Sequence, residues 1–311
     1  MTLLLTHPDA DRHETPPGHP EQVARLRAIR AALDGMDLAR EEPREADDAA
    51  LLLCHPQAYL DRLAAAAPSE GMAQLDEDTF LSPGSLRAAR LAVGAAVRAV
   101  DAVVAGEHGS AFVAMRPPGH HAEAELPMGF CLFGTVAIAA RHALDRHGLG
   151  RVAVVDFDVH HGNGTQALLW DEPRALFVST HQSPLWPGTG DPSETGAHGN
   201  VLNVPLRPGS DGGLIRRAMT ETILPRLDAF APDLVLISAG FDAHRADPLA
   251  ELAWDEEDFA WITDRLCDVA ARHAGGRVVS CLEGGYDLDA LAASAAAHVE
   301  VLRRRGHGGD G

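Results

Sequence analysis

Residues 152–164 read VAVVDFDVHHGNG. The opening four positions are apolar and mostly β-branched, with no polar alternation, which is the pattern of an interior strand covered on both faces. The run then meets Asp156, Asp158, His160 and His161 before glycines at 162 and 164 break it. On an extended backbone Asp156, Asp158 and His160 share one face. Two carboxylates and an imidazole at the carboxyl end of a buried strand can hold a divalent metal. In open α/β sheets that end is also where ligands bind.

The rest of the chain obeys the same grammar. Apolar runs at 1–6, 110–115, 152–158, 175–179, 234–238 and 278–282 alternate with helical patterns, which implies an α/β fold around a mostly parallel sheet. Val93, Val97, Val100 and Val104 fall on one helical face, as do Phe259, Ile262, Leu266 and Val269. Pro20 before a helix at 21–33 and Gly35 after it are suitable punctuation. No internal repeat or low-complexity linker divides the 311 residues, so a single domain over 1–305 is expected, with 306–311 as a disordered tail. The irregular stretch 182–200 is long enough to read as a functional loop.

Composition narrows the function classes. Acidic residues outnumber basic ones 45 to 26, a formal charge of −19 that argues against nucleic-acid binding and would suit a cationic substrate. No apolar stretch reaches the roughly 18 residues of a membrane span, and the N-terminus lacks the basic region of a signal peptide. A cytoplasmic location without membrane attachment is expected. Cys54, Cys131, Cys267 and Cys281 are scattered and read as core thiols. The chain is compatible with a monomer or a homo-oligomer.

Chemistry-bearing residues follow each strand candidate: Arg116 to His121, Asp156 to His161, Thr180-His181, Asp242 to Asp247, and Glu283 to Tyr286. Parallel strands put all of these on one rim. In this order, RPPGHHAE, MGFCLF, DFDVHHGNGTQ, STHQ with PGTG, SAGFDAHRADPLAEL and LEGGYDL resemble the zinc-dependent histone deacetylase superfamily. The nearest likeness is to its class II-like bacterial members: histone deacetylase-like amidohydrolases, acetylpolyamine amidohydrolases and acetoin-utilisation-type proteins. The resemblance runs from about residue 3 to 303 and implies the single-domain arginase/deacetylase fold, with roughly eight strands flanked by helices. It also implies hydrolysis of an N-acetylated amine, whether acetyl-lysine, an acetylpolyamine or a related small amide.

Residue roles follow from the resemblance. Asp158, His160 and Asp247 are the implied metal ligands, three in number so that Zn²⁺ keeps an open position; Fe²⁺ would accept the same set. His120 and His121 match the tandem histidines, with His121 as general base and then acid, Asp156 orienting His120 and Asn163 orienting His121. Tyr286 matches the donor to the developing oxyanion. Phe130 and Trp186 match the aromatic walls of an acyl-lysine channel, with Gly129, Gly285 and Asp78 beside them. Gly188, Thr189 and Gly190 would shape the loop around the metal. Asp156, Asp158, His160, Ser179 and Thr180 match a structural K⁺ site. His19, Glu21, Glu123, Glu125 and Trp254 are candidates for the mouth.

Two other readings are weaker. An arginase-like ureohydrolase needs a further carboxylate two residues past the metal-binding histidine, and that position is Gly162. A catalytically silent acyl-lysine-binding protein would be expected to lack a ligand or the tyrosine, and none is missing.

Overall fold

The computed structural model describes residues 1–306. The described residues form ten strands: β1 (Thr2–Leu5), β2 (Ala39–Glu41), β3 (Ala73–Gln74), β4 (Phe80–Leu81), β5 (Ser110–Val113), β6 (Val152–Asp156), β7 (Ala175–Gln182), β8 (Val201–Leu206), β9 (Leu234–Ala239) and β10 (Val278–Leu282). Eight of them form one sheet in the order β2-β1-β5-β10-β9-β6-β7-β8, and every pairing within it is parallel. The strands β3 and β4 make a separate antiparallel ribbon.

Strands β1, β5, β6, β7, β9 and β10 are buried at every position, as unbroken apolar runs require. One face of the sheet is covered by α4 (Ser85–Val104) and α5 (Thr135–Asp145). The other is covered by α1 (Val23–Leu33), α9 (Glu256–His273) and α10 (Leu288–Gly306). An alanine-rich stripe on α4, with Ala88, Ala92, Ala95, Ala96 and Ala99 fully buried or nearly so, lets that helix lie close to its neighbours. Phe259, Ile262, Leu266 and Val269 of α9 are all buried, in keeping with their spacing.

Several elements depart from the sequence reading. Strand β6 ends at Asp156, so residues 157–162 leave the extended path and the same-face rule no longer reaches His160. The edge strands β2 and β8 carry Arg40, Asn203 and Pro205, and without an apolar run they leave no strand signal. Helix α1 starts at Val23 rather than at 21, because Glu21 is drawn into a buried ion pair described below. Gly306 belongs to α10 rather than to a tail; 307–311 lie outside the described residues. Among the described residues, no helix is long and apolar enough to cross a membrane.

Candidate active site

The strands β5, β10, β9, β6 and β7 are consecutive in the sheet, so the segments that follow them meet on one rim. Directly after β6, Asp158 and His160 face Asp242, which stands three residues past the end of β9, and their ligating atoms all lie within 4.8 Å of one another. His160 Nδ1 is 3.1 Å from Asp158 Oδ1 and 3.2 Å from Asp242 Oδ2. One ring proton cannot serve both carboxylates, and Asp242 Oδ2 is buried without a hydrogen-bond partner. Burial and the neighbouring Asp158 push the Asp242 carboxyl up to about 7. A buried anionic nest with an orphaned oxygen and an imidazole nitrogen in reach has the donor set of a divalent-metal site.

Asp242 supplies the second carboxylate of this cluster, and Asp247, the ligand that the resemblance implies, stands five residues further along the same loop. Asp247 Oδ2 accepts the amide of Tyr286 at 2.7 Å, and its Oδ1 accepts that of Leu249 at 3.0 Å. Its carboxylate fastens the tyrosine's backbone. Both aspartates lie in the same loop after β9.

The turn 283–286 after β10 organises both aspartates. Its amides alternate with its carbonyls: Gly284 N–H donates to Asp158 Oδ2 at 2.8 Å, and Tyr286 N–H donates to Asp247. The intervening carbonyls of Glu283 and Gly285 accept from Arg25, each at 2.6 Å. A Cβ on Gly284 would come 2.1 Å from Asp242 Oδ2 and 2.5 Å from Asp158 Oδ2, so only glycine lets the turn close over the nest. Gly285 thus serves through its carbonyl and does not line the substrate cavity.

The tandem histidines sit on the loop after β5 with ring centroids 3.9 Å apart, and they have different partners. His120 Nδ1 donates to Asp156 Oδ2 at 2.9 Å; His121 Nδ1 donates to Asn163 Oδ1 at 2.8 Å. Burial disfavours a charge on both. For His120 it is outweighed by Asp158, Asp156 and Glu283, which hold the imidazolium well above its ordinary range. For His121 burial prevails, reinforced by His120 and His160, and the ring is held well below it. With Nδ1–H committed to Asn163, neutral His121 keeps a free lone pair on Nε2. Asn163 is itself held by Glu123, whose Oε1 accepts from Nδ2 at 2.9 Å, so Glu123 supports the histidine and does not line the cavity.

A cavity of about 560 Å³ opens above these groups, lined by His121, His160 and Tyr286 at its base and by Gly129, Phe130 and Trp186 along its walls. Gly129 has φ +54°, and a Cβ there would lie 2.5 Å from both His121 Cδ2 and Trp186 Cη2. Phe130 follows with φ +67°. Its ring meets Tyr286 edge-on at 5.9 Å, and Trp186 meets His121 at 4.7 Å. Burial raises the Tyr286 hydroxyl well above its ordinary pKa, so the phenol stays protonated as a donor. Glu77, Asp78 and His19 are also part of the lining, and the carbonyl of Asp78 lies 3.0 Å from His19 Nε2. Trp254 is fully buried against Phe259, and Glu125 and Trp254 are both absent from the lining.

Two supports, Glu283 and Arg25, carried no assigned role in the sequence, and a third residue, Glu21, takes a different place from the one expected. Glu283 Oε2 accepts the amides of Gly119 and His120 at 2.7 and 3.1 Å, pinning the histidine loop; burial pushes its carboxyl up to about 7. Arg25 lies over the Tyr286 ring, 4.9 Å from its centroid. Glu21, fully buried, pairs with Arg25 at 3.0 Å and with Arg116 more closely still, so it belongs to the wall behind the tyrosine and not to the mouth. The glycine-rich loop acts through histidines: Thr189 Oγ1 bonds His161 at 2.7 Å and the Gly190 carbonyl bonds His181 at 3.1 Å. Ser179 Oγ bonds His181 Nδ1, and Thr180 Oγ1 donates to the Asp156 carbonyl.

The chain is similar to known proteins over most of its length. The histone deacetylase domain family matches residues 19–302. The histone deacetylase-like amidohydrolase of Pseudomonas aeruginosa is 43% identical over 277 residues, covering 86% of this chain and 73% of that protein. A probable deacetylase of Archaeoglobus fulgidus is 36% identical, covering 93% and 82%. The crystal structure of the HDA15 HD domain superposes with a TM-score of 0.92 at 34% identity, over 97% of this chain and 87% of that one. With its eight-stranded parallel sheet in the arginase/deacetylase fold, the chain belongs to the histone deacetylase family.

Proposed function

We propose that this chain is a metal-dependent amidohydrolase that removes the acetyl group from an N-acetylated amine, the substrate class being acetyl-lysine, acetylpolyamines or related cationic amides. The observation that carries the reading is the unequal pairing of the tandem histidines, Asp156 against Asn163, beside an unsatisfied carboxylate nest and opposite a tyrosine hydroxyl. Such a site offers a base, a fixed positive charge and an oxyanion donor around one narrow channel.

Asp158, His160 and Asp247 would hold the ion, with Asp242 beside the His160 ring; Zn²⁺ is preferred and Fe²⁺ compatible with the same donors. When bound, the ion would polarise the acetyl carbonyl and acidify the attacking water. His121 Nε2 takes a proton from that water as its oxygen attacks the carbonyl carbon, and returns it to the amine nitrogen as the C–N bond breaks. Acetate and the free amine result. Imidazolium His120 stabilises the negative charge that develops, and the Tyr286 hydroxyl donates a hydrogen bond to the oxyanion. Phe130 and Trp186 flank an aliphatic chain, and Glu77 and Asp78 at the lining favour a distal ammonium. A structural K⁺ near Asp156, Asp158, His160, Ser179 and Thr180 belongs to the same reading; with the Ser179 hydroxyl engaged by His181, backbone carbonyls would be its main donors. A cytoplasmic enzyme without nucleic-acid or membrane partners is in keeping with the charge of −19.

The test is a panel of N-acetylated putrescine, cadaverine, spermidine and acetyl-lysine peptides, each followed by acetate release and ranked by kcat/KM. At least one cationic member is expected to turn over, faster than a neutral acetamide of equal length. Tyr286→Phe should lower kcat by about 10²–10³ with metal content unchanged. Metal-loaded protein that hydrolyses none of them overturns the proposal.

A further inference from the structure

A second cluster of metal-binding residue types lies away from the catalytic rim. Asp101 is on α4, His142 is in the last turn of α5, and His147 lies two residues past the end of that helix. Asp101 Oδ1 is 2.7 Å from Nε2 of both imidazoles. One ligating atom from each residue falls within 4.8 Å of the others. The two rings stand 5.2 Å apart at 77°. Three donors from two helices and a turn have thus been brought to one point by the packing of α4 on α5. Their side chains are 42%, 15% and 26% exposed, held in place yet within reach of an aqueous ion. They border a cavity of about 390 Å³ that leaves room for solvent ligands.

We propose that Asp101, His142 and His147 form a second divalent-metal site, one for a borderline transition cation such as Zn²⁺, Ni²⁺ or Cu²⁺, completed by water. Two imidazole nitrogens with one carboxylate select these ions over Mg²⁺ and Ca²⁺, which prefer all-oxygen shells. The distances are suitable: ligands about 2.0–2.2 Å from a common Zn²⁺ stand a little over 3 Å from one another, so the present 2.7 Å contacts need open only slightly. Without an ion the two imidazoles satisfy the carboxylate by hydrogen bonds, so the chain folds without metal. Occupancy then falls with acid, because the histidines must be neutral to ligate. A bound ion would clip α4 to the end of α5.

The proposal is tested on chelator-stripped full-length protein dialysed against Zn²⁺ and measured by elemental analysis. Wild type should retain one more equivalent than His147→Ala or Asp101→Asn, whatever the catalytic nest holds, so the outcome does not depend on the proposed reaction. Loaded with Cu²⁺, wild type should show nitrogen hyperfine coupling from a signal that both variants lose. His147→Gln, which keeps bulk and polarity, guards against a mere folding defect. Deacetylation by the His147 variants should match wild type. Equal metal content in wild type and all variants would mean that the cluster is an ion pair and nothing more.

Discussion

Behind Tyr286 the carboxylate of Glu21 is enclosed by the guanidinium groups of Arg25 and Arg116, with His13 Nε2 at 3.3 Å, all of them buried. On the other side of the same turn, the carboxylates of Asp158 and Asp242 share the single imidazole of His160. The first assembly is compensated by the protein's own charges. Burial alone would raise the Glu21 carboxyl, yet Arg116 and His13 hold it well below its usual range. The second leaves a carboxylate oxygen, Asp242 Oδ2, without a hydrogen-bond partner, whereas the unpartnered atom of the first is a ring nitrogen, His13 Nε2, that faces the Glu21 carboxylate. A balanced buried network fixes geometry, whereas an unbalanced one requires a ligand. The turn 283–286 joins them, with carbonyls toward the arginine and amides toward the aspartates.

The sharpest way to break this contrast is at the two aspartates of the β9 loop. Asp247→Asn should lower metal affinity by more than about 100-fold and abolish turnover, since loss of a direct ligand exceeds the usual cost of losing an outer support. Asp242→Asn, acting on the ion through His160, should lower affinity by about 10–100-fold. Elemental analysis alongside kcat/KM separates them, and metal loss in the Asp242 variant alone would reverse their roles.

Glu21→Gln tests the balanced side. Removing the carboxylate leaves two guanidinium groups under-compensated and should cost about 3–5 kcal/mol in denaturant unfolding. The folded-state pKa of Glu21 lies below its ordinary value of 4.5. Its contribution is therefore full above pH 4.5 and fades as the pH falls toward the folded pKa. Wild type should lose stability over that acid range more steeply than the variant, and parallel curves would show that Glu21 is not the group responsible.

The smallest expected effect is at Asn163. Asn163→Asp replaces a neutral partner of His121 by an anion, which favours the imidazolium. The acid limb of the kcat/KM profile should move upward by about one pH unit or more. An unmoved limb would mean that His121 does not carry the kinetic base.

Much of this was legible in the chain because parallel-sheet strands are written as unbroken apolar runs and the residues just past them are forced to one rim. Asp156, Asp158, His120, His121 and Tyr286 could be placed that way, whereas Asn163 came from the resemblance. The edge strands β2 and β8 could not, since half-exposed strands carry polar residues and a proline that mimic loop. Asp242 and Asp247 stand five residues apart in one irregular loop, where no periodicity says which side chain turns inward, so the ligand role of Asp247 rests on the resemblance. Glu283, Arg25 and Glu21 each also reach a partner 95 or more residues away in the chain, and such pairings leave no local pattern.

Phe130 occupies the left-handed region that bulky residues avoid, immediately after Gly129 in the same region. Holding a phenylalanine there costs about 1–3 kcal/mol. The fold therefore works against the very ring that narrows the channel, and Phe130→Gly would relax the backbone while widening the passage. Variants selected for robustness alone would drift toward a broader, less discriminating enzyme, whereas selection for tight substrates would have to retain this local strain.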